Sequence, residues 1–229
     1  MALFWNKYTR IFIVLYFVFV AVNYGLRQKS YSVSPKQFKQ LAAKSAETKN
    51  ARQASSSLLM AMRNQYGPLI PSAVEWFPIQ LANHALNIFP IVTSLTEYAA
   101  VLGTPVGSSG RIGLHWSNST CTVVQGSLSR VLDNVVLEEK QVFAQGANFR
   151  HGEFESYIYT LEKDTYVACY GRGFIPLSGI WTVTSSVNYG EPLGVTKFIF
   201  TSFRNYFDQL SLSLYQLFNH YKARATGEL

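Results

Sequence analysis

The side chains that could do chemistry in this sequence are few and widely separated. Its four histidines, His84, His115, His151 and His220, show none of the close pairings that hold a metal ion. The sequence also lacks a phosphate-binding glycine loop, a nucleophile elbow and a dinucleotide-binding fingerprint. We therefore predict no metal site and no cofactor. A single histidine in an apolar run, as at His84 and His115, is more typical of a pocket or core residue with satisfied hydrogen bonds than of a metal ligand.

The composition excludes several classes of protein. The formal net charge is +7, yet charged residues make up only 14% of the chain and aromatic residues 15%. A disordered chain would be rich in charge and poor in aromatic residues, and two cysteines are too few for a disulfide scaffold. No run of Lys and Arg could follow a nucleic-acid backbone. We predict no nucleic-acid partner, and apolar surface that is buried in lipid or around an apolar ligand.

The N-terminal region predicts a membrane-spanning helix. The run from Ile11 to Val22 (IFIVLYFVFVAV) carries no charge. With Tyr8 and Tyr24 as interfacial anchors it is long enough for a bilayer, which needs about 20 apolar residues. We assign residues 1–29 to an uncleaved anchor. A cleaved signal peptide is the alternative, but the triplet AVN at 21–23 is a poor cleavage site. Basic residues flank both ends of the run, so charge does not decide its orientation.

Residues 30–102 predict a helical segment that leads into the next domain. Ser34-Pro35 is a helix start signal, and the triplet YGP at 66–68 is a stop signal. From Trp76 to Leu102, apolar residues recur at helical spacing and are interrupted by prolines. Ser94 and Glu97 are three residues apart, which is the spacing of a capping box at a helix start.

Residues 103–190 predict a small β-barrel, because glycines recur between short runs of β-forming residues. These runs are Thr122–Val124, Val135–Leu137, Tyr157–Leu161 and Tyr166–Cys169. The interior of a barrel of this size is either filled by its own side chains or holds one small ligand.

Residues 191–229 predict an amphipathic helix. Its apolar residues recur at steps of three and four and are Phe200, Phe203, Phe207, Leu210, Leu214 and Leu217. The apolar face either packs on the domain or lies on a membrane surface. The low charge of the opposite face favours the membrane.

Four segments resemble a known family in their order and spacing. They are SLTEY (94–98), LGTPVGSSGRIGLHW (102–116), CYGRGFIP (169–176) and FRNYFDQLSLSLYQLF (203–218). Together with the N-terminal anchor they resemble the family shared by fungal sterol C-8 isomerases and the sigma non-opioid intracellular receptor. The resemblance covers most of residues 70–220. The YGRG stretch at 170–173 is closer to the receptor branch than to the fungal enzymes.

The resemblance implies an α+β, membrane-anchored fold. Its parts are one N-terminal transmembrane helix, a cupin-like β-barrel around an occluded apolar pocket, and two C-terminal amphipathic helices that face the membrane. The implied location is the endoplasmic reticulum membrane or the nuclear envelope, with the barrel on the lumenal side. The implied partners are a sterol-like lipid or a hydrophobic amine in the pocket, two further copies of the chain in a homotrimer, and other membrane proteins.

The resemblance also implies roles for single residues. The residues that it places in the pocket or at its wall are Tyr98, His115, Trp116, Ile175 and Tyr206. Glu97 is implied to be a structurally important acid at a helix end.

This sequence departs from the family at the two acids of the pocket. Cys169 directly precedes the YGRG stretch, where the family has the glutamate assigned as catalytic acid and as counter-ion for amine ligands. Cys121 lies five residues after Trp116, where the receptor has an aspartate that faces this glutamate. Both cysteines of the chain fall on this facing pair. The resemblance therefore implies a Cys121–Cys169 disulfide across the barrel, with two unpaired buried thiols as the alternative.

Loss of both acids favours a non-catalytic protein that binds a sterol-like or other hydrophobic ligand. The alternative is a sterol C-8 isomerase, which moves the C-8 double bond to C-7 and would need another acid. Glu153, Glu155, Glu162 and Asp164 are near the barrel, but their polar surroundings are typical of exposed loops. A third hypothesis is a disulfide-braced barrel that binds nothing.

Overall fold

The computed structural model describes residues 7–48, 50–71, 74–133 and 140–226. The chain divides into two compact units, Met1–Ser32 and Val33–Leu229. Among the described residues, the first unit contains one helix, and the second contains ten strands and four α-helices.

Helix α1 (Lys7–Gln28) makes up most of the first unit. It is 22 residues long, and its most apolar stretch has a mean hydropathy of 1.8 and is not buried. The helix contains the apolar run from Ile11 to Val22. Of the residues that the structure describes, it is the one helix long and apolar enough to cross a membrane, and a signal sequence meets the same criteria.

Two helices begin the second unit, α2 (Pro35–Ser45) and α3 (Ala51–Tyr66). Ser34 is the N-cap residue of α2 and precedes a proline in the first turn, so the predicted helix start is confirmed. The Asn50 side chain caps α3 by accepting a hydrogen bond from a backbone N–H of its first turn. Helix α3 ends where Gly67 adopts a φ of +57°, a conformation that favours glycine. The predicted stop signal is therefore confirmed as well.

Ten antiparallel strands form two sheets. The strands are β1 (Phe77–Leu81), β2 (His84–Thr93), β3 (Glu97–Thr104), β4 (Ser108–Arg111), β5 (Ser117–Gln125), β6 (Ser127–Leu132), β7 (Gln141–Ala144), β8 (Asn148–His151), β9 (Tyr157–Leu161) and β10 (Thr165–Gly173). The six-stranded sheet has the order β1-β2-β3-β10-β5-β8, and the four-stranded sheet has the order β4-β9-β6-β7. Three of the predicted β-rich runs lie in β5, β9 and β10. The fourth, Val135–Leu137, lies outside the described residues.

The prediction of helical structure between Trp76 and Leu102 is wrong, because this stretch forms β1, β2 and most of β3. These strands are buried on both faces of the sheet, so their apolar residues run almost continuously and match a helical period by chance. Pro90 lies within β2 at a point where the register to β3 shifts, and such an irregularity accommodates a proline. The Ser94 side chain accepts the Glu97 N–H in the turn between β2 and β3, so the predicted capping box is a turn.

Apolar side chains cover both faces of the six-stranded sheet. On the outer face, Phe89 and Val101 belong to a core cluster with Phe38 of α2 and Leu58 of α3. On the inner face, residues of β5 and β10 pack against Leu128 of β6 and Tyr159 of β9. The two sheets therefore face each other across an apolar interior, which makes the unit a flattened barrel.

Helices α4 (Ile175–Asn188) and α5 (Pro192–Thr226) follow the last strand. The described strands run from Phe77 to Gly173, whereas the sequence predicted a barrel over residues 103–190. The barrel therefore both begins and ends earlier in the chain than predicted. Helix α5 contains the predicted amphipathic segment. The apolar residues that α5 exposes are Phe200, Phe203, Phe207, Leu210 and Leu214. The side chain of Leu217 lies outside the described part of the chain.

Candidate functional site

The interior between the two sheets contains a cavity of about 170 Å³. Side chains from both sheets line it, together with Ile175 and Thr182 of α4 and Phe198 of α5. Apolar residues make up most of its wall and include Leu86, Ile88, Ala100, Leu102, Leu128, Phe149, Leu161 and Val167. A mostly apolar wall with a few placed polar groups is the usual character of a small-molecule site.

Three histidines line this cavity, His84, His115 and His151, although the sequence places them far apart. His84 has Nδ1 2.8 Å from the Ser108 hydroxyl and Nε2 2.9 Å from the Gly110 carbonyl oxygen. Both of its ring nitrogens are therefore satisfied. No group of three or more His, Cys, Asp or Glu residues could hold a metal ion in the described part of the chain.

His115 is satisfied in the same way. Its Nε2 lies 3.0 Å from the Ile112 carbonyl oxygen and its Nδ1 lies 2.8 Å from the Ser178 hydroxyl. Because a carbonyl oxygen can only accept, Nε2 carries the proton and Nδ1 accepts from the hydroxyl. Burial lowers the pKa of both His84 and His115, so these rings are neutral at neutral pH.

His151 differs from the other two histidines. Its Nδ1 lies 3.1 Å from the Tyr159 hydroxyl, and its Nε2 is buried without a hydrogen-bond partner among the described atoms. Burial, followed by the nearby His115, lowers the pKa of His151 to about 4. Burial also raises the pKa of Tyr159 to about 12, and the nearby positive charge of Arg130 opposes this rise. The histidine and the tyrosine are therefore both neutral at pH 7.

Strand register places His151 in a row of residues across the six-stranded sheet. Tyr98 of β3 pairs with Gly171 of β10, Gly171 pairs with Ser119 of β5, and Ser119 pairs with His151 of β8. Tyr98, Ser119 and His151 line the cavity, and we call these three residues the polar row. The Tyr98 and Ser119 hydroxyls are hydrogen-bonded at 2.9 Å. Burial raises the pKa of Tyr98, so its phenol stays protonated.

Gly171 allows this contact because it has no side chain. A Cβ at this position would overlap the Tyr98 ring and the Ser119 hydroxyl. The Tyr98 ring therefore crosses above the Gly171 backbone to reach the next strand but one. The second residue of the YGRG stretch is thus explained by the geometry of the cavity wall.

Cys121 and Cys169 form the neighbouring row with Ala100 and Phe149. The two cysteines are directly opposite each other on β5 and β10, with Cα atoms 4.1 Å apart, and they are joined by a disulfide. Both line the cavity. The positions that the resemblance assigns to two facing acids are therefore occupied by a single uncharged group.

The described residues that line the cavity include no Asp or Glu. The four acids considered as replacements, Glu153, Glu155, Glu162 and Asp164, are all exposed. The Glu153 and Glu155 carboxylates accept hydrogen bonds from Asn118 and from the Gly152 N–H in a loop region. The exposure expected from their polar surroundings is confirmed.

The other residues implied by the resemblance divide into two groups. Tyr98, His115 and Ile175 line the cavity, whereas Trp116 and Tyr206 do not. Trp116 directly precedes β5, whose odd-numbered residues Ser119 and Cys121 line the cavity. Its ring packs against the rings of Phe154 and Phe174. Tyr206 lies about two helical turns beyond Phe198, the residue of α5 that reaches the cavity.

Glu97 lies at the start of β3, not at a helix end. Its buried carboxylate accepts a hydrogen bond from the Val33 N–H at 3.2 Å and lies 3.0 Å from the Tyr170 hydroxyl. The Arg172 guanidinium donates to the Val33 carbonyl oxygen at 2.7 Å. The N–H and the carbonyl oxygen of Val33 are therefore both hydrogen-bonded to side chains of the six-stranded sheet. These bonds hold the first residue of the second unit against that sheet.

Sequence reasoning missed several residues of the cavity wall. His151 and Phe198 had no motif that could reveal them, because strand register and helix placement bring them to the cavity. His84 was predicted only in general terms, as a pocket or core residue with satisfied hydrogen bonds. Alternate residues of β8 are buried, and the buried ones are Phe149 and His151. Such alternation is a weak indication that His151 faces the interior.

The fold and the site define a class of protein in which two antiparallel sheets and two helices line an apolar cavity, whose described wall carries no carboxylate. The chain belongs to the family described as ERG2 and Sigma1 receptor like protein, which it matches over residues 9–190. The family resemblance predicted from the sequence is therefore confirmed.

Two named relatives are consistent with membership of this family. The chain is 24% identical over 157 residues to the sigma non-opioid intracellular receptor 1 of Danio rerio, covering 68% of this chain and 69% of the relative. It is 27% identical over 104 residues to the C-8 sterol isomerase erg2 of Aspergillus fumigatus, covering 44% and 42%. Among solved structures, an RmlC-like cupin from Shewanella frigidimarina aligns with 44% of this chain and 84% of its own, at 15% identity and a TM-score of 0.37.

Proposed function

We propose that this protein is a sigma-receptor-like protein of the endoplasmic reticulum membrane that binds a sterol-like or other hydrophobic ligand and does not catalyse isomerisation. The observation that carries the proposal is the apolar cavity whose described wall contains no carboxylate. The Cys121–Cys169 disulfide lies at the positions that the resemblance gives to the family acids.

The chemistry of the isomerase explains why this substitution matters. Moving a sterol double bond from C-8 to C-7 requires protonation of an alkene, stabilisation of a carbocation and removal of a different proton. A carboxyl group with a raised pKa can donate the first proton, and its carboxylate then stabilises the cation. A disulfide can do neither. The cavity histidines are neutral because burial lowers their pKa, so they hold no excess proton to donate at neutral pH.

Two exposed apolar features support a membrane location. Helix α1 has the length and composition of a membrane span, and α5 exposes a row of phenylalanines. The proposal places α1 across the membrane, uncleaved, and places the barrel in the lumen, where the oxidising environment permits a disulfide. Assembly into a homotrimer and association with other membrane proteins remain predictions from the resemblance.

Complementation of a yeast strain that lacks its sterol C-8 isomerase tests the non-catalytic part of the proposal. We expect no restored growth under conditions that require the shifted sterol, and no shifted sterol in the extracted lipids. A functional sterol C-8 isomerase serves as positive control, and immunoblotting confirms that the tested protein is present at a similar level. Production of the shifted sterol would overturn the proposal and establish the isomerase alternative.

A further inference from the structure

Strand β5 carries the acceptor pattern for N-linked glycosylation. The triplet Asn118-Ser119-Thr120 has the form Asn-x-Ser/Thr with a residue other than proline in the middle, and it is the one such triplet in this sequence. Such triplets also arise by chance, so the position of the asparagine in the fold decides whether a glycan can be accommodated. A carbohydrate chain is bulky and hydrated, and it requires a surface position.

The pleat of β5 directs the Asn118 side chain to the outer face of the six-stranded sheet. Ser119 and Cys121 line the cavity, so Asn118 and Thr120 point the opposite way. Farther along the outer face, Val124 is 1% exposed because it packs in the core cluster with α2 and α3. Asn118 and Thr120, by contrast, are only half-buried. The two helices therefore cover one end of β5, and Asn118 lies toward the other.

The side chains around Asn118 are polar and exposed. Its Nδ2 donates to Glu153 Oε1 at 2.9 Å, and its Oδ1 accepts from the Arg150 guanidinium at 2.6 Å. Glu153 and Arg150 are themselves exposed. Arg150 belongs to β8, which is the last strand in the order of the six-stranded sheet among the described residues. A bulky group at Asn118 can therefore extend past the edge of this sheet.

We propose that Asn118 is an N-glycosylation site on the outer face of the barrel, beside the edge strand β8. The donor is an oligosaccharide linked to a lipid diphosphate. A bond forms between Nδ2 and C1 of the first sugar, the bond between C1 and the diphosphate oxygen breaks, and one Nδ2 hydrogen leaves as a proton. The modified amide keeps one N–H and its Oδ1, which are as many groups as the folded protein uses to bond Glu153 and Arg150.

This inference rests on the lumenal placement of the barrel in the proposed function, because N-linked oligosaccharides are transferred in the lumen of the endoplasmic reticulum. The Cys121–Cys169 disulfide also requires an oxidising compartment. A lumenal barrel should therefore carry both features, and a barrel that faces the cytosol should carry neither.

Digestion with peptide-N-glycosidase F tests the site on the full-length protein produced in cultured mammalian cells. We expect the membrane-bound protein to shift once to lower apparent mass on a denaturing gel after digestion. The enzyme converts a glycosylated asparagine to aspartate, so mass spectrometry of the digested protein should show this conversion at Asn118.

Two substitutions of Thr120 form a matched pair. Thr120→Ala removes the hydroxyl that the acceptor pattern requires but keeps Asn118, so the shift on digestion should be lost. Thr120→Ser keeps a hydroxyl, so the shift should persist. A shift that persists in Thr120→Ala would overturn the inference, because the glycan would then be attached elsewhere.

An added acceptor separates failure of this site from failure of the lumenal placement. Val106→Asn gives residues 106–108 the acceptor pattern, at a position that is 78% exposed between β3 and β4. If this variant acquires a glycan and the unmodified protein has none, the inference is overturned and the lumenal placement stands. If neither protein carries a glycan, the lumenal placement is refuted together with the inference.

Discussion

At the scale of single residues, the properties of the cavity depend on side chains that are small, neutral or incompletely bonded. Gly171 lets the Tyr98 ring cross its strand and reach Ser119. His151 is neutral, and its Nε2 has no hydrogen-bond partner among the described atoms. Each of these features can be altered by one substitution with a measurable consequence.

Gly171→Ala should destabilise the protein by about 1–3 kcal/mol, because the new methyl group overlaps the Tyr98 ring and the Ser119 hydroxyl. The midpoint of thermal unfolding measures this effect. Gly179→Ala is the matched control, since Gly179 also lines the cavity but its added Cβ would meet only Phe198 at 3.8 Å. Equal unfolding midpoints for the two variants would contradict the steric argument.

Stability should fall in mild acid because His151 is buried in its neutral form. Its pKa is about 4 in the folded protein, against an ordinary value of 6.5, so between these pH values the unfolded chain binds more protons. The stability is fully present above pH 6.5 and is lost as the pH falls toward 4. The loss from this residue is about 3 kcal/mol.

Chemical denaturation at pH 7 and at pH 4.5 measures this loss. The groups that act on His151 are the Tyr159 hydroxyl, His115, Glu155 and Arg130. His151→Phe should show a shallower decline than the unmodified protein, with a remainder from His84 and His115, whose pKa values are also lowered by burial. An unchanged decline would show that His151 titrates normally.

At the scale of elements, the C-terminal helix contributes both to the cavity wall and to an exposed apolar surface. Phe198 of α5 lines the cavity, whereas Phe200, Phe203 and Phe207 are exposed. The rings of Phe203 and Phe207 stack with centroids 6.5 Å apart and form a continuous apolar strip. A helix that exposes such a strip of aromatic and aliphatic residues is typical of one that lies in a membrane interface.

Phe203→Trp should place its indole within reach of lipid acyl chains. In vesicles whose lipids are brominated on the acyl chain, this variant should lose more fluorescence than the unmodified protein, which has four tryptophans of its own. Lys163→Trp is the control, since Lys163 is exposed in the turn between β9 and β10, and its added fluorescence should not be quenched. Equal quenching of the two added tryptophans would refute the membrane position of α5.

At the scale of the whole molecule, the disulfide joins two central strands of the six-stranded sheet. Cys121 of β5 and Cys169 of β10 are separated by 48 residues of sequence. Closing a loop of this length stabilises a folded protein by about 4 kcal/mol in the chain-entropy description. The segment between the two cysteines includes β6, β7, β8 and β9, so this bond restrains parts of both sheets.

Intact-mass measurement after alkylation tests the bond in protein isolated from a eukaryotic membrane fraction. Without reductant no alkyl group should be added, and after reduction in denaturant two should be added. Reduction should also lower the midpoint of thermal unfolding. Alkylation of both cysteines without reduction would mean that Cys121 and Cys169 are buried free thiols.

The strand register determined much that local patterns could not predict. The sequence correctly predicted the start of α2, the end of α3 and the β-rich runs within β5, β9 and β10. It failed between Trp76 and Leu102 because strands buried on both faces lose the alternation that distinguishes them from a helix. Glu97 was placed at a helix end by the resemblance and by the capping-box spacing of Ser94 and Glu97, whereas this spacing belongs to the turn before β3.

The sequence by itself determined the family, the low charge and the presence of two cysteines, which the resemblance places at the positions of the family acids, because these depend on residue identity and order. Only the tertiary structure decided which polar atoms share the cavity and which are already bonded. His151, Ser119 and Tyr98 lie on three different strands, and antiparallel pairing through β10 brings them into one row. The physical reason is that hydrogen-bond satisfaction is a property of neighbours in space, and these neighbours are far apart along the chain.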